Sequence, residues 1–169
     1  MIMPTATDVL ATVEVTFETV IRPALTGSAE RSAAASISHM LRHVGLRIER
    51  EGQVLLDDIF ALRPLIADIR SFFQETGEAD AARALDSAVA VPERPASVYP
   101  SLSSLAEEAG TLGVALESAL ARLQAMRPRL QDDTRYSQLR SAIRVYLGEQ
   151  LQREANLIHP AFAGRGPRR

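Results

Sequence analysis

Two histidines lie among arginines and glutamates in residues 39–52, "HMLRHVGLRIEREG". His39 and His43 are four residues apart, a spacing with which one helix can offer two imidazoles to a zinc ion. The glutamate of the HExxH motif is missing, because Met40 follows His39. The two histidines are therefore predicted to lie with Leu46 on a solvated or interface side of a helix, and neither a metal nor a cofactor is expected.

A second set of charged residues suits an anion held between two helices. Guanidinium groups bind carboxylates and phosphates through two parallel hydrogen bonds, and inward-facing polar residues need a partner or a ligand. The alternative is structural, since Arg47 and Glu51 have the i, i+4 spacing of a surface ion pair and the inward residues can form a buried ion-pair network. The candidate ligand-binding residues, between the second and fifth predicted helices, are Arg31, Arg42, Arg47, Glu51, Gln150, Arg153 and Glu154.

Several classes of chemistry lack the residues that they need. The chain has no cysteine and all 19 basic residues are arginine, which excludes disulfides, thiol nucleophiles and lysine Schiff bases. No Gly-x-Ser-x-Gly motif and no glycine-rich phosphate loop is present. A net charge of −2 gives no support for binding nucleic acid or an anionic membrane. These observations favour a non-catalytic role.

The N-terminus and the composition predict where the protein is located. "MIMPTATDVL" lacks a basic segment followed by an apolar run, and no apolar run in the chain reaches the roughly 18 residues of a membrane helix. The richness in arginine and alanine is typical of a GC-rich bacterial genome. Together with the absence of cysteine, this predicts a cytoplasmic bacterial protein.

The first half of the chain predicts three helices. A first helix is expected to be capped by Thr7 or Asp8, and Gly52 is expected to separate the second helix from the third. Gly77 is expected to cap the end of the third helix. The residues predicted to face the core from the second helix are Ile37, Leu41, Val44 and Ile48, and from the third Leu55, Ile59, Leu62, Ile66, Ile69 and Phe73.

The second half predicts two more helices. Apolar residues alternate in steps of three and four over about 101–127, a heptad-like pattern, and Ser101 or Ser103 is expected to cap this helix before Pro128 ends it. The small residues Ala109, Gly110, Gly113 and Ala119 would let another helix approach closely. The fifth helix is expected to begin after Asp132 or Asp133 and to stop at His159-Pro160.

These elements predict an all-α fold, an antiparallel bundle of four to five helices. No strand-like alternation is present. Residues 1–160 are expected to form a single domain, with a proline-rich connection at 91–100, and residues 161–169 a flexible basic tail.

Two stretches resemble a bacterial family of small, all-helical proteins without an established activity. They are "VIRPALTGSAERSAAASISHMLRHVGLRIEREG" and "LRSAIRVYLGEQLQREANLIHPAF", the latter with Asn156, Pro160 and Phe162 where the family has an Asn, a Pro and an aromatic residue. Genes of that family often lie beside genes for aminoglycoside-phosphotransferase-like kinases and acyl-CoA dehydrogenases. The resemblance implies an accessory role with a kinase-like or dehydrogenase-like partner, and it supplies no catalytic residues.

Two functions therefore remain open. The first is a non-catalytic accessory or protein-interaction module, which binds a protein partner or forms a homo-oligomer. The heptad-like pattern and the side of the second helix that carries Leu46 favour it. The second is a small-molecule or enzymatic role, with an anionic ligand in the arginine- and glutamate-lined pocket.

Overall fold

A computed structural model of the chain describes residues 4–90 and 99–162, which are helical through most of their length and contain no β-strand. The predicted all-α helical bundle is confirmed. The predicted tail at 161–169 and most of the predicted connection at 91–100 fall outside the residues whose side chains are described. The helices are α1 (Ala6–Thr16), a π-helical turn (Phe17–Ile21), α2 (Arg22–Ala24), α3 (Ser28–Glu75), α4 (Ala79–Ala84), α5 (Asp86–Val89), α6 (Leu102–Leu130) and α7 (Thr134–Phe162).

The chain divides into two compact units. Unit 1 comprises Met1–Gly52 and Gln152–Arg169, and unit 2 comprises Gln53–Leu151. In the part of the chain that is described, no helix combines the length and the apolar composition that crossing a membrane requires.

Unit 2 contains the hydrophobic core. Its buried side chains come from the later part of α3, from α4 and α5, from α6 and from the first half of α7. The apolar stripes predicted for the third, fourth and fifth helices supply most of them, because their spacing places them on one side of each helix. The largest fully buried apolar side chains are Ile66, Ile69, Phe72, Phe73, Leu85, Leu105, Leu112, Leu123, Met126, Leu139 and Ile143.

Salt bridges define the direction of the helices in unit 2. Arg63 of α3 pairs with Glu108 early in α6, and Glu78, just after α3, pairs with Arg122 and Arg129 late in α6. The two helices therefore run in the same direction, and α4 and α5 come between them in the chain.

α7 runs in the opposite direction. Only residues 131–133 separate it from α6, and Arg135 at its start pairs with Asp68 near the end of α3 at 2.5 Å. Tyr136 donates a hydrogen bond from its hydroxyl to the carbonyl oxygen of Leu123 (3.1 Å), which ties the first turns of α7 to α6.

The end of α3 is a Schellman motif centred on Gly77, as the sequence predicts. The Gly77 amide donates to the Gln74 carbonyl (3.3 Å) and the Glu78 amide to the Phe73 carbonyl (2.8 Å). Gly77 has φ +78°, a conformation that is favourable only for glycine. The tight reversal places Glu78 at the start of α4, where it can reach the arginines of α6.

The caps of α6 and α7 agree with prediction, whereas their ends do not. Ser101 accepts a hydrogen bond from the Ser104 amide, and Asp133 from the Tyr136 amide. α6 continues past Pro128 to Leu130, and α7 continues past Pro160 to Phe162. A proline near the last turn removes only one backbone donor, so the helix can continue for a few residues.

α1 begins two to three residues earlier than predicted. The cap is Thr5, whose hydroxyl accepts from the Asp8 amide while the Asp8 carboxylate accepts from the Thr5 amide, which is a complete capping box. Thr7 is therefore not the cap, and Asp8 acts as the third residue of the box. The hydrogen bonds from Thr5 lower the pKa of the Asp8 carboxyl.

α3 is one continuous helix, so the predicted break at Gly52 is wrong. Gly52 is helical, and Gly77 is the only glycine in the described part of the chain with positive φ. A glycine inside a helix costs about 1 kcal/mol relative to alanine, which is too little to stop a helix held in place over many turns.

In unit 1, α1 and the first part of α3 form an antiparallel hairpin. The chain reverses between Ala24 and Ser28, and Leu10 lies so close to Gly45 that a Cβ there would be 3.4 Å from the Leu10 Cδ2 atom. The buried residues of this part of α3 are Ala34 and Ser38. Small residues at these positions let the two helices approach closely.

The apolar stripe predicted to face the core from this part of α3 is on the surface. Ile37, Val44 and Ile48 are each about 45% exposed, and Leu41 is half-buried. The prediction was wrong because it assigned the most hydrophobic side chains to the buried side of the helix. The close approach of α1 instead buries small residues, such as Ser38, which follows Ile37.

Candidate functional site

Arg47 and Glu51 form the surface ion pair that their spacing predicts. Arg47 Nε donates to Glu51 Oε2 at 2.9 Å, and its Nη2 donates to Oε1. The pair raises the pKa of Arg47 and lowers that of Glu51, in both cases chiefly through these hydrogen bonds. Arg47 is thus already held by a carboxylate of its own helix.

Arg42 makes its contacts on its own helix too. Its Nε donates to the Ser38 carbonyl oxygen (3.2 Å), and its Nη2 lies 3.0 Å from Nδ1 of His39. His39, His43 and Leu46 are half-buried rather than fully solvated. Arg31, in contrast, is exposed.

The remaining predicted ligand residues lie on α7. Glu154 is exposed, whereas Gln150 and Arg153 are half-buried. Each of these three side chains already takes part in a polar or electrostatic interaction. Gln150 belongs to unit 2 and the other two to unit 1, and the pocket between the second and fifth predicted helices stays a prediction.

A groove of about 310 Å³ runs along the α1–α3 hairpin. Arg42 and two glutamates, Glu14 and Glu49, contribute charge of both signs to a lining that is otherwise mainly apolar. Pro160 of α7 closes one side of the groove, next to Leu46. In the described part of the chain, no group of three or more histidine, aspartate or glutamate side chains is placed to hold a metal ion.

The opposite side of the hairpin carries a set of half-exposed apolar side chains, which we call the α1–α3 face. Their exposed fractions range from 44% to 64%. On α1 and the turn that follows it, these side chains lie to one side of the residues that pack against α3. On α3 they lie to the matching side of the residues that pack against α1. Because the two helices are antiparallel, these flanks are on the same side of the hairpin. The α1–α3 face consists of Val9, Val13, Val20, Ile37, Val44 and Ile48.

The spacing of these residues places them in three levels. The steps from Val9 are four residues to Val13 in α1 and then seven to Val20 in the π-helical turn that follows it. Along α3 the steps from Ile37 are seven and then four. In an antiparallel hairpin we expect this opposite order to bring Val9 level with Ile48, Val13 with Val44, and Val20 with Ile37. Each level has one β-branched side chain from each helix.

The polar groups beside the α1–α3 face are satisfied internally. The hydroxyls of Thr12 and Thr16 donate to carbonyl oxygens one turn earlier, at 2.8 Å each. Arg47 and Glu51 neutralise each other on the outer side of α3. The α1–α3 face therefore contains no charged residue, and the Arg47–Glu51 pair beside it carries no net charge.

Sequence reasoning missed this face, because it had assigned the α3 residues to the core. It also missed a largely buried salt bridge of unit 2, between Arg63 and Glu108, whose side chains are 18% and 11% exposed. Arg63 also donates to the Ala90 carbonyl at 2.8 Å. Partners 45 residues apart share no local pattern that could have revealed them.

The heptad-like pattern of α6 has a different role from the one that favoured an interaction surface. Leu105, Leu112, Leu116 and Leu123 are buried in the core of unit 2. The pattern is therefore satisfied within the chain.

Comparisons with known proteins yield no relative: no protein-family model, no curated protein and no solved structure matches this chain. The family resemblance stays a prediction. The function has to be argued from the residues themselves.

Proposed function

We propose that the protein is a non-catalytic protein-interaction module and that the α1–α3 face is its binding surface. One observation carries the proposal. The described part of unit 1 buries only Ala34 and Ser38, while the six valine and isoleucine side chains of the face stay about half exposed.

The energetics favour a covered face. Scattered exposed apolar residues are common on any protein surface, but six on one side of a hairpin form a contiguous patch, and contiguous apolar patches often mark an interface. Covering the exposed half of a valine or isoleucine contributes about 1 kcal/mol per side chain. A partner that buries all six thus gains several kcal/mol without needing a charged contact.

The exposed apolar residues of unit 2 are a weaker candidate. Phe60, Val114 and Val145 are more exposed than most residues of the α1–α3 face. Unit 2, however, has an extensive core of its own, so its folding does not require that these side chains be covered.

The arrangement of the arginines does not add support for the alternative function, which is an anion-binding pocket. A ligand at Arg47 would compete with Glu51, and a ligand at Arg42 would compete with the Ser38 carbonyl. A carboxylate on the same helix is always present at high effective concentration. The alternative stays a prediction.

The resemblance noted above suggests the kind of partner in the cell. A kinase-like or acyl-CoA dehydrogenase-like neighbour is part of this proposal, as is a second copy of the chain. A cytoplasmic location is part of it as well.

Site-specific photo-cross-linking in the cells that make the protein tests the proposal. A benzophenone amino acid replaces Val13 or Ile48 of the α1–α3 face, and Val114 of unit 2 serves as the control because, at 64%, it is more exposed than either of them. We expect a discrete protein adduct from both face positions and none from the control.

Failure to form an adduct from either face position would refute the interaction role. Adducts of equal yield at Val114 would show that cross-linking reports exposure rather than binding.

A further inference from the structure

We propose that the α1–α3 face binds the same face of a second copy of this chain, so that two hairpins form a four-helix bundle. This inference rests on the proposed function and names the partner of the surface described there. The interface is isologous: each copy contributes the same six side chains about a two-fold axis.

The three levels of the face suit this arrangement. A four-helix bundle is built from layers, each with one inward side chain from every helix. One α1–α3 hairpin supplies two residues to each layer: Val9 with Ile48, Val13 with Val44, and Val20 with Ile37. A second hairpin supplies the other two, and the resulting layers contain only β-branched aliphatic side chains.

The α1–α3 face supplies a substantial part of the area that each partner of a standard dimer buries. Protein interfaces of standard size bury roughly 800 Å² on each partner. Six half-exposed valine and isoleucine side chains, with Met40 (64% exposed) at their edge, provide several hundred square ångströms of apolar surface. The exposed Thr12 and Thr16 of α1 supply further area beside them.

The distribution of charge permits two identical surfaces to meet. Like charges that face each other across a two-fold axis usually oppose self-association. The α1–α3 face has no charged residue, and its nearest charged pair, Arg47 and Glu51, is neutralised within each copy. Self-association therefore brings no like charges together at this pair.

The lack of a core in unit 1 points to a partner that is always present. Apart from Ala34 and Ser38, the described residues of unit 1 are not buried, so the stability of this unit depends on a surface outside it. A second copy is present wherever the chain is made. In a homodimer each copy covers the apolar face of the other, so the unit is stabilised whenever the dimer forms.

Sedimentation velocity of the purified full chain over a range of concentrations tests the proposal. Three proteins are compared: the wild type, Val44→Arg at the middle level of the face, and Val114→Arg on unit 2 as the matched control. Arginine is a good helix former, so neither substitution at an exposed position should disrupt its helix. We expect dimers for the wild type and Val114→Arg, and at least a tenfold weaker dimer for Val44→Arg.

A second measurement remains informative if Val44→Arg fails to fold. Since the chain has no cysteine, Val44→Cys and Val114→Cys each carry a single thiol, and a short bis-maleimide reagent should link two copies only through Cys at position 44. The inference would be overturned by a monomeric wild type. It would also be overturned by a dimer that keeps its affinity in Val44→Arg and is not linked through position 44. If the wild type is monomeric but the face cross-links to another protein in cells, the proposed function stands and only self-association fails.

Discussion

Two arginine–glutamate pairs illustrate how burial determines the contribution of a charge. The Arg47–Glu51 pair has half-exposed Arg47, whereas Arg63 and Glu108 are 18% and 11% exposed. An exposed pair gains little, because water screens it and two long side chains lose freedom. A buried pair leaves a desolvated charge behind when one partner is removed.

We expect Arg63→Ala to lower the free energy of unfolding by about 3 kcal/mol, since it removes the salt bridge to the buried Glu108 carboxylate and the hydrogen bond to the Ala90 carbonyl. Arg47→Ala, the control, should cost only a few tenths of a kcal/mol. Urea denaturation followed by circular dichroism measures both. Equal losses in the two variants would show that the Arg63–Glu108 pair is not buried as described.

Glu78 makes stability depend on pH. Hydrogen bonds from Arg122 and then Arg129 hold the pKa of the Glu78 carboxyl below its ordinary value in the folded protein. A lowered folded pKa contributes stability above the pKa of the unfolded chain, and this is lost as the pH falls through the folded pKa. We expect Glu78→Gln to lower the melting temperature at neutral pH and to converge with the wild type in acid. A difference that does not change with pH would contradict this assignment.

At the residue scale, sequence could predict only what is local. The Arg47–Glu51 pair follows from its spacing, and the caps Ser101 and Asp133 follow from residue type. The partners of Glu78 lie 44 and 51 residues away. No pattern in the sequence connects them, because the crossover through α4 and α5 determines which turns of α3 and α6 meet.

At the scale of elements, two glycines show opposite requirements. Gly77 has φ +78° at the end of α3, whereas Gly110 lies within α6, where a Cβ would meet no atom within 4 Å. The first position needs glycine for its backbone conformation, and the second gains only backbone freedom in the unfolded state.

Gly77→Ala should therefore destabilise the protein by about 1 kcal/mol, because alanine is strained at positive φ. Gly110→Ala should stabilise it by about 0.5–1 kcal/mol, since alanine is the better helix former. Thermal unfolding monitored at 222 nm compares the two. If both substitutions moved the melting temperature in the same direction, the Schellman motif or the position of Gly110 inside the helix would be wrong.

The continuity of α3 is a feature of the helices that sequence reasoning did not predict. The apolar stripes on either side of Gly52 were detected, but the glycine was taken as a break. A second error concerns the first part of α3, where Ile37, Val44 and Ile48 were assigned to the core. Periodicity identifies an apolar side of a helix, but it does not determine whether that side meets the same chain or another one.

At the scale of the whole molecule, the two units differ in how they are stabilised. Unit 2 has a continuous core drawn from α3 to α7, and its stripes were predicted correctly because the chain itself covers them. The described residues of unit 1 include only two that are buried, both small, and they expose the α1–α3 face. The all-α class could be predicted from the sequence, whereas the difference in how the two units are stabilised could not.

This difference has a consequence for local unfolding. Segments with few buried apolar contacts open at low free energy and exchange their amide hydrogens quickly. If a partner surface covers the α1–α3 face, that coverage should protect α1 and the first part of α3. Removing it should expose these helices to exchange without affecting the core of unit 2.

Hydrogen exchange followed by mass spectrometry, on the wild type and Val44→Arg at a high protein concentration, tests the central claim most directly. The account predicts faster exchange in Val44→Arg over α1 and the first part of α3, unchanged exchange over α6, and wild-type exchange throughout in Val114→Arg. Identical protection of α1 in the wild type and Val44→Arg would show that nothing covers the face, and it would contradict the claim that this surface is an interface.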